Sequence, residues 1–421
     1  MAQTISIVVF LVVIIAIISE KVHRAAAAVT GAVILLLTHV LTLDASIKYI
    51  DFNTIGVLIG MMMFVSVVKC SGIFEYIAIK AAKIAKGDPW KIMVLFMIVT
   101  AVLSAFLDNV TTVLLIGPMT ISITKILGLN PIPFLLTQIM ASNIGGTATL
   151  IGDPPNIMIG SAAKLSFLDF ILNTAPIVVV IMVVLILMVK FMFAKNLTKN
   201  SEAIHEIMLL DENKAIEDLA LLKKSVVMII LVVLGFMLHS KIDIESCVVA
   251  LTAAAVMLII GKQDVEEVLT DVEWTTIVFF TGLFIVVGGM VETGVIDKLA
   301  NILVETTAGH PIITMIVLLW ASAILSSILD NIPFVATLIP LIIAMGNDGV
   351  DVVPLWWAVS LGACLGGNGT LIGASANVVL CGISGKHGHP ITFQRFLKTG
   401  VPIMLMSVAI STIYVVLRYG I

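Results

Sequence analysis

The feature that most constrains the fold of this chain is a series of long, uninterrupted apolar runs. They occur at about residues 4–19, 25–43, 53–68, 91–107, 174–194, 225–238, 247–260, 275–291 and 401–417. Most approach the ~17–25 residues that a helix needs to cross a bilayer. They do not alternate between polar and apolar residues, as the strands of a membrane barrel do. The sequence therefore predicts an all-α polytopic membrane protein.

The composition and the short motifs exclude several other classes of protein. Only 12% of the residues are charged, whereas soluble domains carry about 25%. The first run lacks a basic region on its N-terminal side and a small-residue cleavage site, so a retained helix is expected there. The four cysteines show no metal-ligand or disulfide-framework spacing, and no phosphate-binding loop of the G-x-x-x-x-G-K-[ST] type is present. No cofactor, no metal site and no nucleic-acid partner are expected.

Pairs of segments recur at a spacing of about 222 residues. "FLDNVTTVLLIGPMT" (106–120) is similar to "ILDNIPFVATLIPLI" (328–342), and "DFNTIGVLIG" (51–60) to "EWTTIVFFTG" (273–282). "NIGGTATLIGDPPN" (143–156) is identical to "CLGGNGTLIGASAN" (364–377) at seven of fourteen positions. The chain is therefore expected to contain two repeats, residues 1–194 and 225–421, joined by a polar linker at 195–224.

The distribution of basic residues predicts the orientation. With five crossings and one hairpin in each half, and the linker 195–224 in the cytoplasm, 18 of the 23 Lys and Arg residues are cytoplasmic. Such an excess follows the positive-inside rule. An odd number of crossings per half makes the repeats inverted, as in many secondary transporters. Both termini are then non-cytoplasmic, and charge does not decide whether the hairpins are re-entrant.

Each repeat contains one apolar segment that glycines interrupt, joined by two prolines in the first repeat. The first break holds Gly145, Gly146, Gly152 and the pair at 154–155, and the second holds its glycines at 366, 367, 369 and 373. Unwound backbone persists inside a membrane only where it is buried in protein or lines a cavity. Matching interruptions in two halves indicate a binding site at the repeat interface. The alternative is that the glycines serve close helix packing.

Neutral hydrogen-bonding side chains surround the breaks, and an Asp-Asn pair follows an apolar run in each half. No Lys or Arg lies within either break or hairpin tip along the sequence. The candidate substrate-binding residues are Asp108, Asn109, Asn143, Gly145, Gly146, Thr147, Thr149, Asn156, Asp330, Asn331, Cys364, Gly366, Gly367, Asn368, Thr370 and Asn377. Cys364 is expected to serve packing, and the alternative is that it is a soft ligand for a thiophilic solute.

Three carboxyls are candidates for proton coupling. Asp108 and Asp330 each precede a helix at a hairpin tip, where an aspartate is either an N-cap or, as a carboxyl within the membrane, a functional group. Asp153 has Ala374 as its counterpart in the second half, so it is present in only one of two equivalent places. Such asymmetry suggests a coupling role, and a capping or loop-bracing role is the alternative.

These motifs resemble the ion transporter superfamily, in particular its arsenite-efflux and sodium/proton-antiporter group. The similar stretches are "LDNVTTVLLIGPM", "ASNIGGTATLIGDPPNIMIG", "LDNIPFVATLIPL" and "LGACLGGNGTLIGASANVV", the last two being similar to the melanocyte P-protein branch. The resemblance implies an inverted-repeat transporter with about ten transmembrane helices, two broken helices and two re-entrant hairpins. It also implies an elevator-like or rocking movement, often a dimer, and substrate contacts at the hairpin tips and breaks. Dicarboxylate carriers of the superfamily have Ser-Asn-Thr motifs at those places, whereas this chain keeps only a trace of them in "ASNIGGTAT" and has Asp-Asn at the hairpins.

The sequence thus predicts a secondary active transporter of the cell (inner) membrane, not an enzyme. The first hypothesis is proton-coupled efflux of arsenite or antimonite, with the linker 195–224 as a docking surface for a cytoplasmic ATPase. The alternatives are a sodium/proton antiporter using the same carboxylates, an anion or carboxylate transporter using helix N-termini, and a channel. An intramembrane aspartyl protease built on Asp108 and Asp330 is a hypothesis from another class.

Overall fold

The computed structural model describes residues 1–19, 21–194, 197, 201–306 and 310–420, and every regular element in these ranges is a helix. Nine of the described helices are long and apolar enough to cross a membrane. Four shorter apolar helices accompany them. The prediction of an all-α polytopic membrane fold is therefore confirmed.

The first half contains eleven helices within the described residues. They are α1 (Ala2–Ser19), α2 (Arg24–Leu37), α3 (Leu43–Tyr49), α4 (Phe52–Lys69), α5 (Ile73–Ile84), α6 (Pro89–Phe106), α7 (Asn109–Ile126), α8 (Ile132–Gly146), α9 (Pro154–Ala163), α10 (Phe167–Asn173) and α11 (Ala175–Phe193). The linker contains α12 (Ser201–Leu209). Its residues 195, 196 and 198–200 lie outside the described residues.

The second half repeats this order. Its helices are α13 (Leu219–Leu238), α14 (Ser246–Gly261), α15 (Val265–Thr270), α16 (Trp274–Glu292), α17 (Val295–Thr306), α18 (Pro311–Ile328), α19 (Asn331–Asn347), α20 (Val353–Gly366), α21 (Ser375–Lys386) and α22 (Phe393–Tyr419). The single helix α22 stands where the first half has α10 and α11.

One helix of each half packs closely against a helix of the other half. A Cβ on Gly282 of α16 would lie 2.8 Å from the backbone of Ala28 on α2, and one on Gly60 of α4 would lie 2.6 Å from the backbone of Ala250 on α14. Such small residues allow helix backbones to approach closely inside a bilayer. The helices α2 and α14 therefore each pack against the opposite half, which joins the halves into one structure.

Each half contains a hairpin whose tip ends inside the protein. The helices α6 and α7 meet at Asp108, which is 6% exposed, and α18 and α19 meet at Asp330 beside Asn331, which is 2% exposed. Asp108 accepts a hydrogen bond from the Thr111 amide at 2.8 Å, so it is the N-cap of α7. The hairpins thus carry polar side chains to the centre of the fold.

The glycines at the ends of α8 and α20 allow close helix packing. A Cβ on Gly145 would overlap the backbone of Ala101 on α6, and one on Gly366 would overlap the backbone of Ala323 on α18. The packing alternative therefore holds for these two glycines. Gly146 instead faces the backbone of Gly152 across the first break.

We expect Gly145→Ala to destabilise the protein. The new methyl group has no room against the Ala101 backbone, and overpacking of a core typically costs about 1–3 kcal/mol or more. Gly382→Ala on α21 is the matched control, because no atom lies within 4 Å of its Cβ and alanine is the better helix former. Apparent melting temperatures in detergent would test this, and equal values for the two variants would contradict the packing role.

One carboxylate of the linker, that of Glu212, forms ion pairs with α5. Glu212 accepts a hydrogen bond from Lys83 at 2.5 Å and one from Lys80 at 2.9 Å. These bonds, that from Lys83 first, lower the pKa of Glu212 from 4.5 to about 2. Because the folded-state pKa is depressed, the contribution to docking is complete above pH 4.5 and is lost as the pH falls toward 2. Docking is therefore intact throughout the physiological pH range.

Glu212→Gln is expected to loosen the docked linker at neutral pH. The amide of Glu217 donates to the Ser71 carbonyl at 3.3 Å, so its hydrogen exchange reports docking. We expect that exchange to accelerate a few-fold, since partly exposed ion pairs contribute modestly. The control is Glu206→Gln on the exposed face of α12. Unchanged exchange at Glu217 would show that the ion pairs do not hold the linker.

Candidate functional site

An asparagine side chain stabilises the unwound backbone in each of the two helix breaks. The Nδ2 of Asn156, on α9, donates to the Thr149 carbonyl at 3.0 Å, and the Nδ2 of Asn377, on α21, donates to the Gly367 carbonyl at 2.7 Å and the Thr370 carbonyl at 2.9 Å. These carbonyls follow the ends of α8 and α20, where the helix no longer supplies a donor. The asparagine amides therefore replace helical hydrogen bonds in the unwound backbone.

A chain of amides joins the two breaks across the centre of the protein. The Nδ2 of Asn143 donates to the Oδ1 atoms of Asn368 and Asn377, each at 2.9 Å. The Oδ1 of Asn143 accepts from the Nδ2 of Asn109 at 3.4 Å, which ties the first hairpin to the same chain. All four residues are 3% exposed or less. Asn143 is thus the central link between the halves.

The contact between Asn143 and Asn377 has a repeat-related counterpart, which Cys364 makes with Asn156. Its Sγ lies 3.4 Å from the Oδ1 of Asn156, which also accepts from Ser360 at 2.7 Å. Cys364 occupies the position that Asn143 has in the first half, so the two contacts are related by the internal repeat. The thiol is completely buried and also faces Asp153. It therefore lies within the candidate site.

Asp153 has an unusual environment for a buried carboxyl. It is completely buried at the start of α9, yet its side chain does not cap that helix. The Nδ2 of Asn331, at the tip of the second hairpin, donates to its two oxygens at 3.2 and 3.3 Å. The side chain of Asp153 is therefore not the cap of α9. This carboxyl instead joins the first break to the second hairpin, through a neutral partner.

The two hairpin carboxyls are satisfied differently. Asp108 accepts from the Thr111 hydroxyl at 2.5 Å in addition to the amide. Asp330 forms an ion pair with the Nη1 of Arg24 at 2.8 Å and accepts from Ser375 at 2.9 Å. Among the described residues, Asp330 is the one site carboxyl with an ion pair. The N-cap alternative thus holds fully for Asp108 and only weakly for Asp330, whose contact with the Ile332 amide is 3.4 Å.

Other predicted site residues support the surrounding structure. The Thr149 hydroxyl donates to the Ala105 carbonyl, and the Thr370 hydroxyl donates to the Ser327 carbonyl at 2.5 Å. Thr147 donates to the Asn143 carbonyl one turn earlier at 2.8 Å. Gly367 faces the carbonyl of Gly373 across the second break, as Gly146 faces Gly152 in the first. These residues fix the shape of the breaks, and the three threonine hydroxyls already donate to backbone carbonyls.

Sequence reasoning missed two charged residues at the site. Arg24 comes from α2, and its Nη2 donates to the Thr276 hydroxyl at 3.1 Å, which in turn donates to the Glu273 carboxylate at 3.0 Å. Arg24 precedes an apolar run, so along the chain it had the appearance of an ordinary flanking charge. Glu273 aligns with Asp51 in the repeat, so that both halves have a carboxylate at this position. That alignment was the one sequence feature that could have indicated Glu273 as a site residue.

The carboxyls surround a very small cavity. A space of about 20 Å³ is lined in part by Asp108, Asp153, Glu273, Asn331 and Ser375. This volume is about that of one water molecule. Within the described residues, no group of three or more His, Cys, Asp or Glu side chains is arranged to hold a metal ion. The centre of the site is therefore closed around its carboxyl and amide groups.

Two further cavities lie at opposite ends of α4 and α16. The larger, about 440 Å³, includes Asp51 before α4 and Val291 near the end of α16, and the smaller, about 90 Å³, includes Lys69 at the end of α4 and Glu273 before α16. The two ends of α4 are about 27 Å apart. Seven residues of the smaller cavity align in the repeat with residues of the larger: Met62, Val65, Ser66, Lys69, Leu114, Asp271 and Glu273. The cavities are thus repeat-related and unequal in size.

Comparison with known proteins identifies the family. Residues 14–362 match the profile of the citrate transporter family, CitMHS. The chain is 42% identical to an uncharacterized transporter of Mycobacterium tuberculosis over 426 residues, which cover 99% of each chain. It is 33% identical to the P protein of Mus musculus, over 96% of this chain and 59% of that protein. The resemblance to the P protein is therefore confirmed.

The fold also has a counterpart among solved structures. The YdaH transporter of Alcanivorax borkumensis, whose structure shows an unusual topology, matches 91% of this chain and 89% of its own, with a TM-score of 0.63 and 14% identity. At that identity the likeness supports the fold alone. Together the matches identify a membrane transporter and not an enzyme. The chain belongs to the citrate transporter family of the ion transporter superfamily.

Proposed function

We propose that this protein is a proton-coupled secondary active transporter in which Asp153 carries the coupling proton. The observation that supports this most is the environment of Asp153, which is completely buried and contacts a neutral amide, that of Asn331. A carboxylate in such a place needs a proton or a cation to offset the cost of burial. Its contact with the second hairpin gives its charge state a direct effect on the packing of the two halves.

The unequal cavities support alternating access as the transport movement. The two cavities lie at opposite ends of α4 and α16 and are related by the repeat. If the two halves exchanged their conformations, the large cavity would therefore become small and the small cavity large. The present conformation then opens at the Asp51 end and is narrowed at the Glu273 end. A ligand that binds one conformation better shifts the equilibrium toward it, so protonation of Asp153 and solute binding both bias this movement.

Arsenite or antimonite is the solute that we propose first. Arsenite is a neutral trihydroxy acid at pH 7, and the site offers amide and carboxyl groups that bind hydroxyls. The buried thiol of Cys364, which faces Asp153, adds a soft ligand close to the same groups. A site with Asp108, Asp153 and Glu273 and one arginine is acidic in sum, and this favours a neutral or cationic solute.

Sodium/proton antiport is the second candidate, because the same carboxyls would attract a small cation. The family description raises citrate as a third. A free tricarboxylate would bring its negative charges to three further carboxyls, so this site fits citrate only when cations accompany it. Any other anion would be repelled by these carboxyls and could be bound only by helix N-termini.

The proposal includes an orientation and partners. The linker 195–224 lies in the cytoplasm and both termini lie on the opposite side of the cell (inner) membrane, as the basic residues indicate. The small cavity at Lys69 then faces the cytoplasm and the large cavity at Lys48 faces outward. The linker offers a docking surface for a cytoplasmic ATPase, and a homodimer remains part of the proposal on family resemblance.

A panel of solutes tested in proteoliposomes with a pH gradient would identify the substrate. The panel contains arsenite, antimonite, sodium, lithium, citrate alone and citrate with a divalent cation. We expect arsenite or antimonite to dissipate the gradient while sodium and lithium do not. Dissipation by sodium or lithium alone would establish the antiporter, and dissipation by citrate alone would contradict the charge argument.

A further inference from the structure

The guanidinium of Arg24 connects four structural elements at one point. Its Nη1 donates to Asp330 Oδ2 at 2.8 Å and to the Ser375 hydroxyl at 2.6 Å, while its Nη2 donates to Thr276 on α16. Its Cζ lies 5.3 Å from the centre of the Phe279 ring. The side chain of Asp330 is 10% exposed and that of Arg24 is 27% exposed. This is a largely enclosed, charge-assisted contact between α2, the second hairpin and the second break.

Within the described residues, the first hairpin has no equivalent of this cation. The position equivalent to Arg24 is Ser246 at the start of α14, whose hydroxyl donates to the Oδ1 of Asn53 at 3.1 Å. The position equivalent to Asp330 is Asp108, which accepts hydrogen bonds from the amide and hydroxyl of Thr111. The two hairpin carboxyls are thus related by the repeat, and among the described residues only Asp330 has a positively charged partner.

We propose that Arg24 is a built-in counterion that sets the coupling number of the transporter by removing Asp330 from the set of coupling carboxyls. The inference rests on the proposed proton-coupled transport. Arginine keeps its charge at all physiological pH values, so Asp330 needs neither a proton nor a solute cation. Asp153 and Asp108 lack such a partner within the described residues and must obtain positive charge from outside.

The charges around the pair are consistent with this assignment. Glu273 reaches Arg24 through Thr276, and His23 lines the same cavity of about 320 Å³ as Arg24 and Asp330. Asp153 interacts electrostatically with both Asp330 and Asp108. Removing the guanidinium would therefore leave Asp330 among other carboxyls, and this would favour uptake of an additional proton or cation at Asp330.

The test is the coupling ratio, obtained from the reversal potential of transport in proteoliposomes. Arg24→Gln should raise the ratio by one coupling ion per solute, and the double variant Arg24→Gln/Asp330→Asn should return it to the wild-type value. Arg395→Gln, at an exposed arginine on α22, is the matched control and should leave the ratio unchanged. An unchanged ratio in an active Arg24→Gln variant would overturn the proposal. So would a loss of transport in Arg24→Gln that the double variant does not restore.

An infrared measurement of protonated carboxyls provides a readout that does not need transport. In the wild-type background, Asp330→Asn should leave the protonated-carboxyl band unchanged, because Asp330 is ionised. In the Arg24→Gln background, the same substitution should remove intensity from that band. Intensity lost already in the wild-type background would show that Asp330 carries a proton and would overturn the proposal. A wild-type protein that moves no solute with protons would instead contradict the proposed function and not this assignment.

Discussion

Asp153→Asn should remove the pH dependence of transport while leaving the protein folded. Asparagine has nearly the same size, and its Oδ1 can still accept from the Nδ2 of Asn331. It cannot take up a proton, so the pH no longer changes the charge of the group that contacts the second hairpin. Coupling free energies between two sites are typically about 1–3 kcal/mol, so we expect accumulation driven by the gradient to fall about 5–150-fold. The measurement is solute uptake against external pH in proteoliposomes.

Two variants complete this test. Asp44→Asn, at an exposed carboxyl of α3, should transport with the wild-type pH profile. Asp108→Asn, at the N-cap of α7, should keep the pH dependence that Asp153 provides, because the carboxyl of Asp153 is still present. If Asp153→Asn kept the wild-type profile and Asp108→Asn lost it, the coupling carboxyl would be at the first hairpin and the proposal for Asp153 would be wrong.

Asn143→Leu should cause the largest loss of stability among single substitutions at the amide chain. It removes the donor shared by the Oδ1 atoms of Asn368 and Asn377, both in completely buried residues. A buried polar group left without its partner costs about 1–3 kcal/mol, so two such groups give an expected loss of about 2–6 kcal/mol. The apparent melting temperature in detergent would show this loss.

Asn301→Leu is the matched control for this substitution. Asn301 is exposed on α17, and surface substitutions usually change stability by less than about 0.5 kcal/mol. Equal melting temperatures for the two variants would mean that the amide chain does not hold the halves together. In that case the breaks would be stabilised mainly by the bonds of Asn156 and Asn377 to the unwound backbone.

The sequence predicted those parts of the site that local residue chemistry determines. Glycine and proline do not continue a helix, so the breaks at 145–155 and 366–373 were visible along the chain. Asp-Asn after an apolar run indicated the hairpin tips in the same way. The repeat alignment then paired the elements, because two similar segments are expected to fold alike.

The sequence did not predict contacts that depend on distant parts of the chain. Arg24 and Asp330 are 306 residues apart, and no local pattern relates them. Gly145 looked like part of a binding break, yet its lack of a side chain is needed for packing on Ala101, which becomes visible only when α6 and α8 are placed together. The role of Asn331 as the partner of Asp153 likewise depends on how the two halves pack.

Uphill accumulation of arsenite driven by a pH gradient alone is the most direct test of the account. Proteoliposomes would start with equal arsenite on both sides and an imposed pH difference, with a protonophore as the control. We predict that arsenite concentrates on one side, that the protonophore abolishes this, and that Asp153→Asn does not accumulate it. If arsenite and the other solutes of the panel only equilibrated across the membrane, whatever the pH difference, the protein would be a passive pathway, and the claim of proton-coupled active transport would be contradicted.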